Sequence, residues 1–202
     1  MWIYEKKLQV PVNIKRRDLK MANAIFTQFG GPNGELAAAL RYLSQRVNMP
    51  TSKSKGLLND IGTEELAHVE VIQAIIYQLT KDATPQEFID AGLQGYYGIW
   101  DGGIFPSSPL GEPFTTAYIN NVGDPIANIY ENLAAEEKAR ATYEQLLNLT
   151  NDPDIIKPLS FLRQREIIHF QRFGELLDDL QLHKQMKTQF RVPKIYFETD
   201  SL

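Results

Sequence analysis

The chain has 202 residues, of which 43% are apolar and 23% are charged, a composition typical of a soluble globular domain and not of a disordered or membrane-embedded chain. A chain of this length is expected to form one domain, here over residues 1–202. Its net charge of −4 gives no electrostatic basis for binding nucleic acid or an anionic membrane, and the absence of cysteine excludes disulfides, thiolate metal ligands and cysteine nucleophiles.

The N-terminal part of the chain predicts an extended arm followed by an interrupted helix. Residues 1–16 alternate loosely and lack the apolar segment of a signal peptide, so we expect an arm on a protein that is synthesised in the cytoplasm. No run in the sequence reaches the roughly 18 apolar residues of a membrane span. A helical pattern begins near Asp18, is interrupted by the glycine-rich residues 30–34, resumes at Glu35 and ends before Pro50.

The second predicted helix is followed by a long connection. The helix runs from near Lys55 to about Lys81, with its apolar residues at helical spacing. A short helix is expected within residues 82–94, with Thr84 as its N-cap and Pro85 in its first turn. The connection then continues to residue 122, rich in glycine, proline and aromatic residues and without a period. A connection of this length inside a domain is typical of a functional or interface element.

Two more helices complete the pattern. The third begins at Asp124-Pro125 and ends near Asn148, and the fourth covers about residues 152–187 with an interruption expected at Pro158. The tail, residues 188–202, is expected to be extended. Four amphipathic helices with one long crossover between the second and the third predict an all-α, ferritin-like four-helix bundle over about residues 18–187, flanked by extended N- and C-terminal arms.

Two of the three histidines follow a glutamate by three residues: Glu65 precedes His68 on the second helix, and Glu166 precedes His169 on the fourth. This spacing places both side chains of a pair on one helix face. One pair alone would equally suit a surface carboxylate beside a core histidine. Two pairs on alternate helices of a bundle indicate a metal site, because several buried carboxylates are tolerated together only around a cation.

The other two helices are each expected to add a carboxylate. On the first helix Glu35 is the only acidic residue near the apolar positions, although a glutamate directly after a glycine also suits the helix dipole. The third helix offers Glu131, Glu136, Glu137 and Glu144. We favour Glu136, which shares a face with apolar residues, and keep Glu137 as its competitor. The acids beside the first motif, Glu64 and Glu70, are expected to face solvent.

The predicted ligands are oxygen and imidazole, which favour manganese or iron over metals that select thiolate. One glutamate from each of two helices and a Glu-x-x-His pair from each of the other two form the dinuclear carboxylate pattern of ferritin-like bundles. The sequence therefore predicts a site for two metal ions in the middle of the bundle.

Beyond this spacing, long segments of the chain resemble the manganese catalase family. The resemblance starts at MWIYEKKLQ, covers nearly the whole chain and is carried by GGPNGELAAALRYLSQR, DIGTEELAHVE, GDPIANIYENLAAEEKARATYEQL and FLRQREIIHFQRF. It is greatest to the short spore-coat members of the family, the CotJC type. It implies a cofactor of two manganese ions, with iron as the alternative metal, and an enzyme that dismutes hydrogen peroxide to water and dioxygen.

The resemblance also implies the roles of the metal ligands. Glu35 and His68 would bind one manganese ion, and Glu136 and His169 would bind the other. Glu65 would bridge the two ions.

Two further residues are catalytic candidates under the same resemblance. Glu166 would handle protons as a hydrogen-bond partner of metal-bound solvent, and Tyr42 would hydrogen-bond outside the ligand shell. The chain departs from some larger catalases in two ways. It has Ala135 where they carry an arginine, and they extend further at the C-terminus.

The resemblance implies partners as well. We expect a homo-oligomer, a hexamer as in the larger relatives, with the loop Tyr96–Phe105 packing between subunits. We also expect assembly into the spore coat with other coat proteins. No nucleic acid or membrane partner is expected. Two alternatives stay open: a ferritin-like di-iron oxidase or peroxidase with the same ligands, and a structural coat protein whose metal site is vestigial.

Overall fold

The computed structural model describes residue 5, residues 7–95 and residues 103–188, and this part of the chain is helical with no β-strand. Its α-helices are α1 (Leu19–Gly30), α2 (Glu35–Arg46), α3 (Ser52–Thr80), α4 (Pro85–Asp90), α5 (Pro125–Asn148) and α6 (Pro153–Thr188). A short 3-10 helix, Thr116–Tyr118, lies in the connection before α5. No helix of the described residues is long and apolar enough to cross a membrane.

Two helical hairpins form the bundle. Short connections join α2 to α3 and α5 to α6, and the helices of each hairpin pack along each other. The hairpins meet where α3 packs on α6 and α2 packs on α5, and α1 extends the first hairpin by packing on α3. Residues 81–124 form the single long crossover between α3 and α5. The prediction of an all-α, ferritin-like bundle with one long middle connection is confirmed.

Two glycines in the interruption of the first predicted helix lie where no side chain would fit. A Cβ at Gly30 would clash with the backbone of Ser107, and a Cβ at Gly34 would lie 2.8 Å from the carbonyl carbon of Gln28. The crossover and the end of α1 therefore approach each other more closely than any side chain permits. The chain leaves α1 at Gly30 and starts α2 at Glu35, so the helix expected near Asp18 is two helices.

The helix ends are set by local hydrogen bonds. Thr51 forms a capping box with Ser54, so α3 begins at Ser52, three residues before the predicted start. Thr84 caps α4 with Pro85 in its first turn, as predicted. Asp124 caps α5 by accepting a hydrogen bond from the backbone nitrogen of Ala127.

The interruption expected at Pro158 is wrong, because α6 runs without a break from Pro153. Pro158 lies near the start of this helix. A proline cannot donate to the carbonyl four residues before it, and here that carbonyl belongs to Asp154 in the first turn of the helix. Only one hydrogen bond at the very start of α6 is lost.

The arms and the crossover are described only in part. The backbone nitrogen of Ile14 donates to Oε1 of Gln78, and Nε2 of Gln78 donates to the carbonyl of Val12. The side chains of Val10 and Ile14 are buried. The described part of the N-terminal arm therefore lies along α3. Most of the loop Tyr96–Phe105 and the tail after residue 188 lie outside the described residues. The expectations for these two segments stay predictions.

Two apolar clusters build the core, and the predicted ligands lie between them. On α3 the first cluster begins at Val71 and the second ends at Ile61, so positions 65 and 68 fall in the gap. On α6 the corresponding limits are Leu162 and Phe173, with positions 166 and 169 between them. Each fully buried aliphatic side chain contributes about 1.5–3 kcal/mol, so the clusters on both sides hold the intervening polar layer in place.

Candidate metal centre

The polar layer of the bundle brings the predicted ligand atoms together in two overlapping groups. In each group the ligand atoms all lie within 4.8 Å of one another. The first group contains Glu35, Glu65, His68 and Glu166, and the second contains Glu65, Glu136, Glu166 and His169. All six residues are at most 2% exposed. Glu65 and Glu166 belong to both groups, which is the arrangement expected where two cations share ligands.

Glu65 lies between the two imidazoles. Its Oε2 is 2.8 Å from Nδ1 of His68, and its Oε1 is 2.8 Å from Nδ1 of His169. The two rings are nearly parallel, with their centroids 5.6 Å apart and an interplanar angle of 22°. One carboxylate thus faces both inward ring nitrogens, each with a different oxygen, as a bridging ligand must.

Glu35 and Glu136 lie at the two ends of this arrangement. Oε2 of Glu35 is 3.4 Å from Nδ1 of His68, and Oε2 of Glu136 is 3.7 Å from Nδ1 of His169. Glu137, the competing candidate on α5, lies outside the layer, with a half-exposed side chain that pairs with Arg140 at 2.5 Å. Of these two neighbours, only Glu136 is close to the imidazoles.

Two tyrosines hold the outer carboxylates from the opposite hairpin. The Tyr42 hydroxyl on α2 donates to Oε1 of Glu136 on α5 at 2.5 Å, and the Tyr143 hydroxyl on α5 donates to Oε1 of Glu35 on α2. The sequence interpretation included Tyr42 and missed Tyr143. The signal was available, because Glu35 precedes Tyr42 and Glu136 precedes Tyr143 by the same seven residues, two helical turns. Each hairpin therefore carries a Glu-Tyr pair on its first helix and a Glu-x-x-His pair on its second.

We expect Tyr143→Phe to lower the free energy of unfolding of the metal-loaded protein by about 1.5–3 kcal/mol, because it removes a buried hydrogen bond to a charged carboxylate. Thermal unfolding of the loaded protein measures this. Tyr130→Phe is the matched control on the same helix, since Tyr130 is half-exposed and its hydroxyl accepts a hydrogen bond from Gln181. Equal losses in the two variants would contradict a special role for the Tyr143–Glu35 bond.

Burial raises the pKa of three of the four buried carboxyl groups in the metal-free protein. Burial, with the negative charge of Glu65, raises the pKa of Glu35 to about 7. Burial raises the pKa of Glu166 well above its usual range, and the charges of Glu35, Glu65 and Glu136 raise it further. The pKa of Glu136 is also raised, by burial first and by Glu65 second. Burial and mutual repulsion thus favour a neutral form for three of the four carboxyl groups.

The imidazoles respond in the opposite sense. Burial lowers the pKa of His169, but Glu65, Glu136 and Glu64 outweigh it and raise that pKa to about 12. The pKa of His68 is likewise raised, because Glu65 and Glu35 outweigh its burial. In the absence of a cation, imidazolium protons supply the positive charge that the carboxylates need.

Several of these buried polar atoms have no hydrogen-bond partner within the part of the chain that the structure describes. They are Glu65 Oε1, Glu136 Oε2, Glu166 Oε1 and His169 Nδ1. Glu65 Oε1 and His169 Nδ1 are only 2.8 Å apart, but their orientation is not that of a hydrogen bond. Buried polar atoms without partners are costly, at about 1–3 kcal/mol each and more for charged groups. Cations bound between them would satisfy all four, so the residues fit the dinuclear site that the sequence predicts.

Glu64 does not face solvent, which corrects the sequence interpretation. Its side chain is 15% exposed and accepts hydrogen bonds from Arg165, from Gln9 and from Nε2 of His169. Burial would raise the pKa of Glu64, but these hydrogen bonds outweigh it and lower the pKa far below its ordinary value. Glu70, assigned to solvent with it, is half-buried.

Comparison with known proteins agrees with this geometry. A family model described as manganese containing catalase matches residues 1–196. Protein CotJC of Bacillus subtilis is 50% identical over 190 residues, which are 94% of this chain and 100% of that protein. A probable manganese catalase of Clostridium acetobutylicum is 33% identical over 98% of this chain and 90% of that protein. The crystal structure of KatB, a manganese catalase from Anabaena, matches with a TM-score of 0.82 at 31% identity, covering 100% of this chain and 87% of that one. The chain belongs to the manganese catalase family.

Proposed function

We propose that this protein, as one domain over residues 1–202, is a dimanganese catalase that dismutes hydrogen peroxide to water and dioxygen. The observation that carries the proposal is Glu65, whose two oxygens each lie 2.8 Å from the inward nitrogen of a different imidazole. That arrangement provides two adjacent cation positions with one shared carboxylate, in a chain of the manganese catalase family. Oxygen and imidazole ligands suit manganese.

The ligand assignment follows the two groups of atoms. Glu35 and His68 would hold one manganese ion, Glu136 and His169 the other, and Glu65 would hold both at a fixed separation. Bound there, the ions supply two-electron redox chemistry with peroxide. The tyrosines keep Glu35 and Glu136 oriented, since each donates to the oxygen that faces away from the nearer imidazole.

The reaction needs a group that stores protons. One peroxide gains two electrons and two protons and becomes two water molecules, and a second peroxide loses two electrons and two protons and becomes dioxygen. Glu166 suits this task, because it belongs to both ligand groups and its Oε1, which has no hydrogen-bond partner among the described residues, lies 3.7 Å from Nδ1 of His68. Burial and its carboxylate neighbours raise the pKa of this carboxyl group in the metal-free protein, in the direction that favours its protonated form.

Dioxygen evolution tests the proposal directly. The manganese-loaded protein is expected to evolve one dioxygen for every two peroxides consumed, while Glu35→Ala and His169→Ala, each lacking a ligand, lose the activity. A wild-type protein that holds two manganese ions and evolves no dioxygen, with both variants equally folded, would contradict it.

Manganese binding is expected to weaken as the pH falls. The pKa of Glu35 is about 7 in the metal-free protein, so below pH 7 a cation must displace its proton, besides those of the imidazoles. Each displaced proton costs about tenfold in affinity per pH unit. The same raised pKa stabilises the metal-free fold at low pH, and this contribution is lost as the pH rises through about 7. Titration of the metal-free protein with Mn²⁺ at pH 6, 7 and 8 measures the slope, and a flat profile would contradict it.

The location and partners of the protein are part of the same proposal. We infer synthesis in the cytoplasm, assembly into the spore coat with other coat proteins, and a homo-oligomer. The similarity to CotJC along 100% of that protein supports the spore-coat location, and the resemblance to the larger catalases supports the oligomer. Large apolar side chains at Val47, Leu110, Val122 and Leu149 are more than 60% exposed and are available for such contacts. Sedimentation of the purified protein is expected to give a hexamer of the 23.0 kDa chain. A monomer at all concentrations would contradict the oligomer.

A further inference from the structure

One carboxylate, Glu64, faces the outer nitrogens of both imidazoles. Its Oε2 is 3.1 Å from Nε2 of His169, within hydrogen-bond distance, and its Oε1 is 3.8 Å from Nε2 of His68. Among the described residues, Nε2 of His68 has no hydrogen-bond partner. Both rings thus point Nδ1 toward Glu65 and Nε2 toward Glu64, so they are enclosed between two adjacent glutamates of α3.

Glu64 is itself held from two sides. Arg165 on α6 donates to both carboxylate oxygens, from Nε at 2.6 Å and from a terminal nitrogen at 3.1 Å. Gln9 in the N-terminal arm donates to Oε1 at 2.7 Å. A carboxylate fixed by a two-point guanidinium contact has little freedom to rotate away from the rings. The network therefore joins three separate parts of the chain around the outer edge of the site.

The network breaks the symmetry of the two hairpins. Glu64 directly precedes Glu65 on α3, and Arg165 directly precedes Glu166 on α6, so the two residues occupy equivalent positions of the two Glu-x-x-His helices. The two helices do not each supply an acidic residue here. One supplies Glu64 and the other supplies Arg165, and the two side chains form an ion pair. The single carboxylate hydrogen-bonds to His169 and only approaches His68. The two cation positions are therefore supported unequally.

We propose that Glu64, held by Arg165 and Gln9, is a positioning residue that fixes the His169 imidazole with its Nδ1 toward the metal position. When Nε2–H donates to Glu64, the proton is kept on the outer nitrogen and the lone pair of Nδ1 points inward, the form that binds a cation. The negative charge behind the ring also makes Nδ1 a stronger ligand. This inference rests on the proposed function only in that the site binds manganese.

The test is Mn²⁺ titration of the metal-free Glu64→Gln variant, with electron paramagnetic resonance of the loaded protein. Glutamine keeps the volume and one acceptor oxygen but loses the charge and the two-point contact with Arg165. We expect Mn²⁺ at one of the two positions to bind about 10- to 100-fold more weakly, as is usual when such outer partners are lost. The resonance signal of the manganese pair is expected to change with it.

Glu144→Gln is the matched control. Glu144 on α5 also receives two hydrogen bonds from an arginine of α6, Arg163, but it lies away from the imidazoles. Because exposed ion pairs contribute only about 0–1 kcal/mol to stability, this variant is expected to keep the wild-type Mn²⁺ affinity and resonance signal. Arg165→Gln provides a second test if Glu64→Gln does not fold, with a smaller loss of affinity expected at the same position.

The outcomes separate this inference from the proposed function. Wild-type protein that binds two Mn²⁺ ions, together with Glu64→Gln protein of unchanged affinity and signal, would overturn the positioning role and leave the catalase proposal standing. Equal losses in Glu64→Gln and Glu144→Gln would also overturn it, because the effect would then be general to the ion pairs of α6. Wild-type protein that binds no Mn²⁺ would overturn both proposals.

Discussion

Glu65→Gln is expected to lose both manganese ions and all measurable catalase activity. The substitution removes the carboxylate that both inward imidazole nitrogens face, so neither cation position keeps its full set of charged ligands. The bound metals contribute several kcal/mol of transition-state stabilisation, and at about 1.4 kcal/mol per tenfold the loss corresponds to about 10³-fold or more in rate. Metal content per chain and dioxygen evolution on the same preparation measure it.

Glu137→Gln is the control for this experiment. Glu137 is an exposed glutamate of α5 that pairs with Arg140, and it belongs to neither ligand group. It is expected to keep two manganese ions and full activity. A Glu65→Gln protein that still holds two ions with near-normal turnover would show that Glu65 is not the bridge.

Glu166→Gln is expected to keep both manganese ions and lose about 10²- to 10⁴-fold in kcat, the usual contribution of a general acid–base group. Glutamine fills the same space but has no carboxyl proton to give or take. KM is expected to change much less than kcat, because the ligands that hold the metals remain. The measurement combines metal analysis with steady-state dioxygen evolution.

The same variant distinguishes two possible roles of Glu166, as a proton-storing group and as a direct metal ligand. Glu166 belongs to both ligand groups, so the geometry alone also suits a direct ligand. If Glu166→Gln protein loses one or both manganese ions, Glu166 is a ligand and the proton-storing role is wrong. If it keeps both metals and full activity, Glu166 has neither role.

The bundle and the inward-facing ligands could be predicted because both follow from helical periodicity. A glutamate three residues before a histidine lies on the same helix face whatever the rest of the fold does, and Glu136 was distinguished from Glu137 by the same criterion. The structure places the first of these two in the buried layer and the second at the surface. The long crossover was recognisable as a stretch without a period.

The features that the sequence interpretation missed depend on contacts between distant parts of the chain. Glu64 was assigned to solvent because nothing near it in sequence predicts Arg165, which lies 101 residues away on another helix. The close approach of Ser107 to Gly30, which leaves no room for a side chain, likewise comes from the distant crossover. Tyr143 is different, since its spacing from Glu136 repeats that of Tyr42 from Glu35 and was readable from the sequence.

The most direct test of the account is metal content and dioxygen evolution measured on one sample of protein produced with manganese and iron both supplied. We expect two manganese ions per chain and dioxygen evolved in proportion to the manganese bound. Preferential retention of iron, with peroxide consumed and no dioxygen released, would contradict it and would favour a di-iron oxidase or peroxidase built on the same ligands. A protein without bound metal that still assembles normally would favour a structural coat protein.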